Sequence, residues 1–420
     1  MCGIELDADE RYCHHCGIRL EESSTSKPQR AHSVIEPSQR TSSIRVSQKL
    51  RTLYVLIPLL ALMIFASYLL GEYVASTHVL SHGGDESFYL SIFSSLRADP
   101  AGYYHIADHF FRIYYYNSAP LWMQNFPLIF YIWLVSPTTQ ELKWLYFIFA
   151  LAATISSYFT IYLSTRRPEI AALSGAWIAY FLRTSNYLMI DYWGATLFLV
   201  GLPFFVARQH VKAAVIIGIA VLVKQTLAPF MAIAAIYYVW VRRKHFSSFL
   251  GYHSHKVPRV PRTISRAPLA YATDSIAWSI GAISVGFAYY VNGLVSQGTF
   301  QSPIHNSWGF DPNVLQVLFN GSFFVNPPIP LLLAFPLAII GLLALRSGQS
   351  IIAAVSFIIM PLLMVFETVG TETKIAVLAG AIASRWVLLT ILFLNLFWLV
   401  GIYEVCLIIY HQFKTRLASV

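Results

Sequence analysis

The chain reads as an all-α polytopic membrane protein of about 10 to 11 transmembrane helices, preceded by a small zinc-ribbon-like segment. Of its 420 residues, 56% are hydrophobic and only 12% charged, whereas an ordinary soluble domain carries about 25% charged residues. Apolar runs recur near the roughly 20 residues that cross a bilayer as a helix. No alternation of apolar and polar positions suggests an outer-membrane barrel. The formal charge of +9 does not point to nucleic acid, because Lys and Arg gather in short loops between apolar runs, the pattern that orients membrane helices.

From the amino terminus, residues 1–20 read "MCGIELDADERYCHHCGIRL". A zinc ribbon uses two CxxCG knuckles, each bringing two thiolates to one tetrahedral metal while the glycine permits the tight turn. Cys13 and Cys16 form a complete knuckle, and Cys2-Gly3 is the back half of another. The fourth thiol is then expected just upstream of Met1, or else His14, His15 or another chain completes the set. Structural zinc on Cys2, Cys13 and Cys16 fits a reducing compartment better than a disulfide framework does; a tail with three chance cysteines is the plainer reading. Residues 21–50 have too little apolar content to fold and are expected to form a disordered basic linker. The first apolar run opens near residue 53 and is expected to act as a signal anchor.

Residues 51–417 make the membrane domain. Its expected crossings are roughly 53–76, 143–164, 168–187, 188–207, 213–225, 226–241, 274–296, 328–346, 350–366 and 387–410. This assignment puts Arg166, Arg167, Arg208, Lys212, Arg242, Arg243, Lys414 and Arg416 on the side of the amino terminus, so both termini are expected in the cytoplasm. Two segments test it. "NFPLIFYIWLVSP" at 125–137 is too short to span and is read as interfacial or re-entrant. The run 213–241 is read as two short helices meeting at "KQTLAP", because one long helix would put Arg242 and Arg243 on the wrong side.

Extracytoplasmic loops are then expected at about 77–142, 297–327 and 367–386, and the unusual polar residues gather on that face: Asp85, Glu86, Arg183, Asp191, His305 and Arg385. The first loop interleaves aromatic and polar residues at helical spacing, as helices lying in the membrane interface do. Asp85 and Glu86 in "GGDESFY" suit a solvated helix N-terminus, where the dipole favours negative charge. They equally suit a general base at the edge of a lipid-facing groove, with the neighbouring carboxylate fixing its geometry. Lys224 lies inside an apolar run, where an ionisable group is costly and commonly functional.

In this order and with this sidedness the chain resembles the GT-C superfamily of polyprenyl-phosphate-sugar-dependent glycosyltransferases, whose members include protein O-mannosyltransferases and aminoarabinose transferases. The resemblance covers about residues 53–410. It rests on the acidic-aromatic motif "GDESFY" in the first loop, "NFPLIFYIWLV", "NYLMIDYWGATLFL", the "KQTLAPF" helix break and "ASRWVLLTILFLNLF". It implies inverting sugar transfer from a polyprenyl, dolichyl-type, phosphate donor to a protein or lipid-linked glycan acceptor on the extracytoplasmic face. Carried over residue by residue, Asp85 is the candidate catalytic base, with Glu86 its motif neighbour and Tyr89 the aromatic that follows. Asp191, Lys224, Arg385, Arg183, His305 and Tyr89 are candidate substrate-binding residues. No second DxD pair is evident, so transfer is expected without a metal. The duller readings are an Arg385 headgroup anchor, an Arg183–Asp191 pair and His305 as a loop residue. A transporter or lipid flippase, or a membrane scaffold or sensor with a cytoplasmic ribbon, are the alternatives; a transporter is expected to show repeats and charges near the midplane.

Overall fold

The computed structural model describes residues 38–75, 85–115, 127–183, 187–252, 267–297, 331–345, 347–366 and 388–418. Cys2, Cys13, Cys16, His305 and Arg385 lie outside them. By its contacts the chain divides into Met1–Thr52 and Leu53–Val420. The described part of the former is the start of α1 (Ser38–Ala75), so helix begins well before residue 50, where the linker was expected to end. Extending an existing helix avoids the nucleation cost that an isolated polar segment meets.

In the larger unit follow α2 (Asp85–Ala98), α3 (Tyr103–Tyr115), α4 (Leu128–Trp133), α5 (Thr139–Thr165), α6 (Pro168–Arg183) and α7 (Ile190–Val206). Next come α8 (His210–Val223), a 3-10 turn at Gln225–Leu227, α9 (Ala228–Tyr252), α10 (Ala267–Gln297), α11 (Leu331–Leu342), α12 (Ser347–Phe366) and α13 (Leu388–Ala418). No strand occurs among the described residues. Among the described residues, four stretches are long and apolar enough to cross a membrane: Thr52–Ala75, Thr139–Thr165, Thr273–Val295 and Leu388–Arg416. Shorter apolar helices occupy Ile190–Val206, His210–Val223, Gln225–Val241 and Gly348–Ile359.

Local chemistry explains the boundaries. Thr138 caps α5 in a capping box: Glu141 N–H donates to Thr138 Oγ1 at 3.1 Å, and Thr138 N–H donates to Glu141 Oε2 at 3.0 Å, satisfying two otherwise orphaned donors. The helix ends in left-handed Arg166 (φ 60), and Pro168 opens α6, a position where its missing N–H costs nothing. Arg208 (φ 61) makes the matching turn between α7 and α8. Both arginines sit where a helix C-terminus favours positive charge.

The helices run up and down one bundle. Beside α6, α1 runs parallel: Tyr54 donates to Glu169 at 2.7 Å, Leu62 lies against Gly175, and Arg183 pairs with Glu72 at 3.3 Å. The hairpin α8–α9 is antiparallel, with Gly218 beside Met231 and the ring of His210 4.7 Å from that of Tyr238. That return places the start of α8 and the far part of α9 at one end, and the Lys224 turn at the other. Helix α4 has six residues, about 9 Å of rise, so it cannot span; its Ile129, Phe130 and Trp133 are buried in the bundle.

Candidate functional site

Two residues that are costly to bury meet at the Lys224 end of the bundle. Helix α8 stops at Val223, and Lys224 takes an extended conformation (φ −138, ψ 107) before the 3-10 turn. Pro229, with no N–H to give, lies in the first turn of α9, which keeps the two helices from fusing. The break releases Lys224 from the helical array, and its Nζ reaches Asp191 Oδ1 at 2.7 Å. Asp191 is the second residue of α7, where the dipole favours a carboxylate. The side chains are 13% and 6% exposed, so this pair is buried and removal of either partner strands a charge.

Close packing sets the geometry. A Cβ on Gly194, one turn beyond Asp191, would lie 2.6 Å from Lys224 Cβ and 3.6 Å from the Ala220 carbonyl oxygen. Only glycine lets the lysine stem pass that close. Thr226 Oγ1, in the same turn, is buried with no hydrogen-bond partner among the described residues.

Aromatic side chains roof this end. In α2 the buried Phe88, Tyr89, Ile92, Phe93 and Leu96 fall on one helical face. Tyr89 packs against Phe130 (6.1 Å between centroids), Phe93 against Trp133 (5.9 Å), and Trp133 against Trp193 (6.1 Å), two residues from Asp191. Arg97 donates to the Ser136 carbonyl and lies 4.5 Å over the Phe93 ring, pinning α2 to the chain after α4. Asp85 and Glu86 are the first two residues of α2. The roof is completed by α3, whose Tyr104 hydroxyl donates to Asn292 Oδ1 of α10. Burial pushes the Tyr104 hydroxyl pKa up, with Tyr131 adding to the shift, so the phenol stays a donor.

The expected site residues thus separate. Asp191 and Lys224 come together as a buried pair. Arg183 does not join them: it pairs with Glu72, both about two-fifths exposed. Tyr89 is 8% exposed and packs against Phe130 in the aromatic roof. Among the described residues, no group of three His, Cys, Asp or Glu side chains converges as a metal site.

The sequence reading missed a polar cluster at the opposite end of α8. His210, 4% exposed, accepts at Nδ1 from Trp278 Nε1 (3.1 Å), with Nε2 3.6 Å from Asp274 Oδ2. It also missed Tyr289 and Asn292, in α10. Their signal was a tyrosine and an asparagine three positions apart in "YYVNGL", which a span assignment by hydropathy averages away.

No protein-family model, no curated protein and no solved structure matches the chain.

Proposed function

We propose that the protein is a membrane-embedded group-transfer enzyme acting on a lipid-linked phosphate. More specifically, we propose inverting glycosyl transfer from a polyprenyl, dolichyl-type, phosphate sugar to an acceptor hydroxyl on a protein or lipid-linked glycan at the extracytoplasmic face. One observation supports this reading: a buried lysine, freed by a helix break and held by Asp191, is joined through Trp193, Trp133 and Phe93 to the helix that begins with Asp85 and Glu86.

The chemistry needs those groups. The acceptor oxygen attacks the anomeric carbon from the face opposite the phosphate, forming the new glycosidic bond as the carbon–phosphate-oxygen bond breaks. The bonding pair leaves with the phosphate, and the acceptor proton passes to the Asp85 carboxylate. Negative charge grows on the departing phosphate, where a cation fixed in a poorly solvated place is most effective. Lys224 is that cation, and Asp191, 2.7 Å from its Nζ, aims it. Glu86 is Asp85's neighbour in the motif, with Arg385 a second candidate clamp and His305 a substrate contact.

A transport reading draws on the same broken helix. Transporter breaks, however, set half-helix ends near the bilayer midplane, whereas Lys224 sits at the tip of an antiparallel hairpin.

The decisive experiment is transfer from a panel of labelled polyprenyl-phosphate sugars by purified protein in lipid, with total membrane extract as acceptor. Wild type should move label, Asp85→Asn should be lowered by about 100-fold or more, and Lys224→Gln by a similar factor. No transfer from any donor by folded wild type would sink the reading.

A further inference from the structure

A helix that ends inside a bundle leaves carbonyls without N–H partners, and the break before Lys224 is such an end. Lys224 N–H donates to Ala220 O at 2.8 Å and Leu227 N–H to Lys224 O at 3.1 Å. The Val221 carbonyl is met from a different helix: the Tyr289 hydroxyl of α10 donates to it at 2.6 Å, with Leu222 O at 3.5 Å. One turn on, Asn292, 3% exposed, accepts from Tyr104 of α3. Tyr289 and Asn292 are three residues apart and share a face. Ser275, Trp278 and Val285, all buried, continue the inward side of α10. A single face of α10 thus touches both the helix break and the roof.

From this we infer that Tyr289 is a positioning residue for Lys224. Its hydroxyl takes the place of the i+4 N–H on Val221 O and so holds open the turn from which the lysine reaches Asp191. Asn292, through Tyr104, ties α3 to the same helix and keeps the roof in register with the break. Without the hydroxyl, the Val221 carbonyl is best satisfied by the Gln225 N–H of a continued α8, which takes Lys224 out of its extended conformation (φ −138, ψ 107) and re-aims its side chain relative to Asp191. The inference deepens the role proposed for Lys224, and its activity arm rests on the glycosyl-transfer reading; its stability arm does not.

The test is a pair of double-mutant cycles on the full chain in lipid nanodiscs, since coupled residues depart from additivity and independent ones do not. Tyr289→Phe alone should lower kcat of sugar transfer about tenfold with a smaller change in KM. In the Lys224→Gln background it should cause no further loss. The thermal midpoint is read in parallel: the shift caused by Tyr289→Phe in wild type should largely vanish in the Asp191→Asn background, where the pair it supports is already broken. If Tyr289→Phe yields no folded protein, Tyr289→Gln, which keeps a donor, enters the same cycles. Failure of the transfer reading shows as no transfer by folded wild type, and the midpoint cycle then decides alone. Additive midpoint shifts would overturn the positioning role, whatever the transfer assay gives.

Discussion

Burying a lysine beside an aspartate requires that nothing else occupy the space, and Gly194 shows how narrow the margin is. An added methyl there meets the stem of Lys224, which is not a flexible tip that can rotate clear. Gly194→Ala should therefore displace Lys224 from Asp191, destabilising the protein by about 1–3 kcal/mol as overpacking does and reducing transfer beyond what the lost folded fraction explains. Gly286 supplies the control, because a Cβ at that position meets nothing within 4 Å. Gly286→Ala should leave both readouts near wild type or gain a little stability from helix propensity. Equal behaviour of the two variants in thermal melting and transfer would show that the Gly194 contact does not hold the pair. The pair itself follows a simple rule: apart, each charge would be stranded in an apolar interior, and together they neutralise one another.

At the scale of elements, helices pack closest where side chains vanish. Gly341 of α11 and Gly401 of α13 face one another so tightly that a Cβ on the first would lie 2.1 Å from Phe397 O, and one on the second 1.8 Å from Leu337 O. Backbone touches backbone, an arrangement that favours small residues in membrane helices and brings Cα–H groups to carbonyls. Gly401→Ala or Gly341→Ala should cost about 2 kcal/mol or more, read as a lowered thermal midpoint; an unchanged midpoint for both would mean that the α11–α13 contact is looser than this. Such contacts were not legible in the sequence, since a glycine in an apolar run marks no partner. Helix positions were partly legible: each expected crossing overlaps a helix among the described residues, although only four stretches there are long and apolar enough to span, and the interruption at "KQTLAP" follows from demanding that Arg242 and Arg208 share an end. The same charge logic could not choose between Arg183 and Lys224 as the partner of Asp191. Hydropathy and charge fix which end of a helix a residue occupies, and only the rotation of α6 and α8 about their axes decides which cation meets the acid.

Over the whole molecule, the chain joins two parts with different demands. The bundle of Leu53–Val420 carries the ion pair, the roof and the proposed transfer site. The amino-terminal "CHHCG" belongs to the other unit, and the proposed transfer chemistry calls on none of its residues. If Cys2, Cys13 and Cys16 hold structural zinc, the metal serves the fold of that segment, because thiolate sites with a full ligand set leave no open position for a substrate. Full-length protein purified without chelator should then carry about one zinc per chain, measured by elemental analysis, and Cys13→Ser should lose it. Removing residues 1–37, just before α1 begins at Ser38, should abolish zinc binding yet leave the rate of sugar transfer within about twofold, since residues to which the proposed mechanism gives no role add nothing to the differential stabilisation on which rate depends. Zinc absent from full-length protein would reduce the cysteines to a chance pattern. A truncated protein that stays folded but loses transfer would show the opposite error, with the amino-terminal unit needed for the chemistry of the bundle.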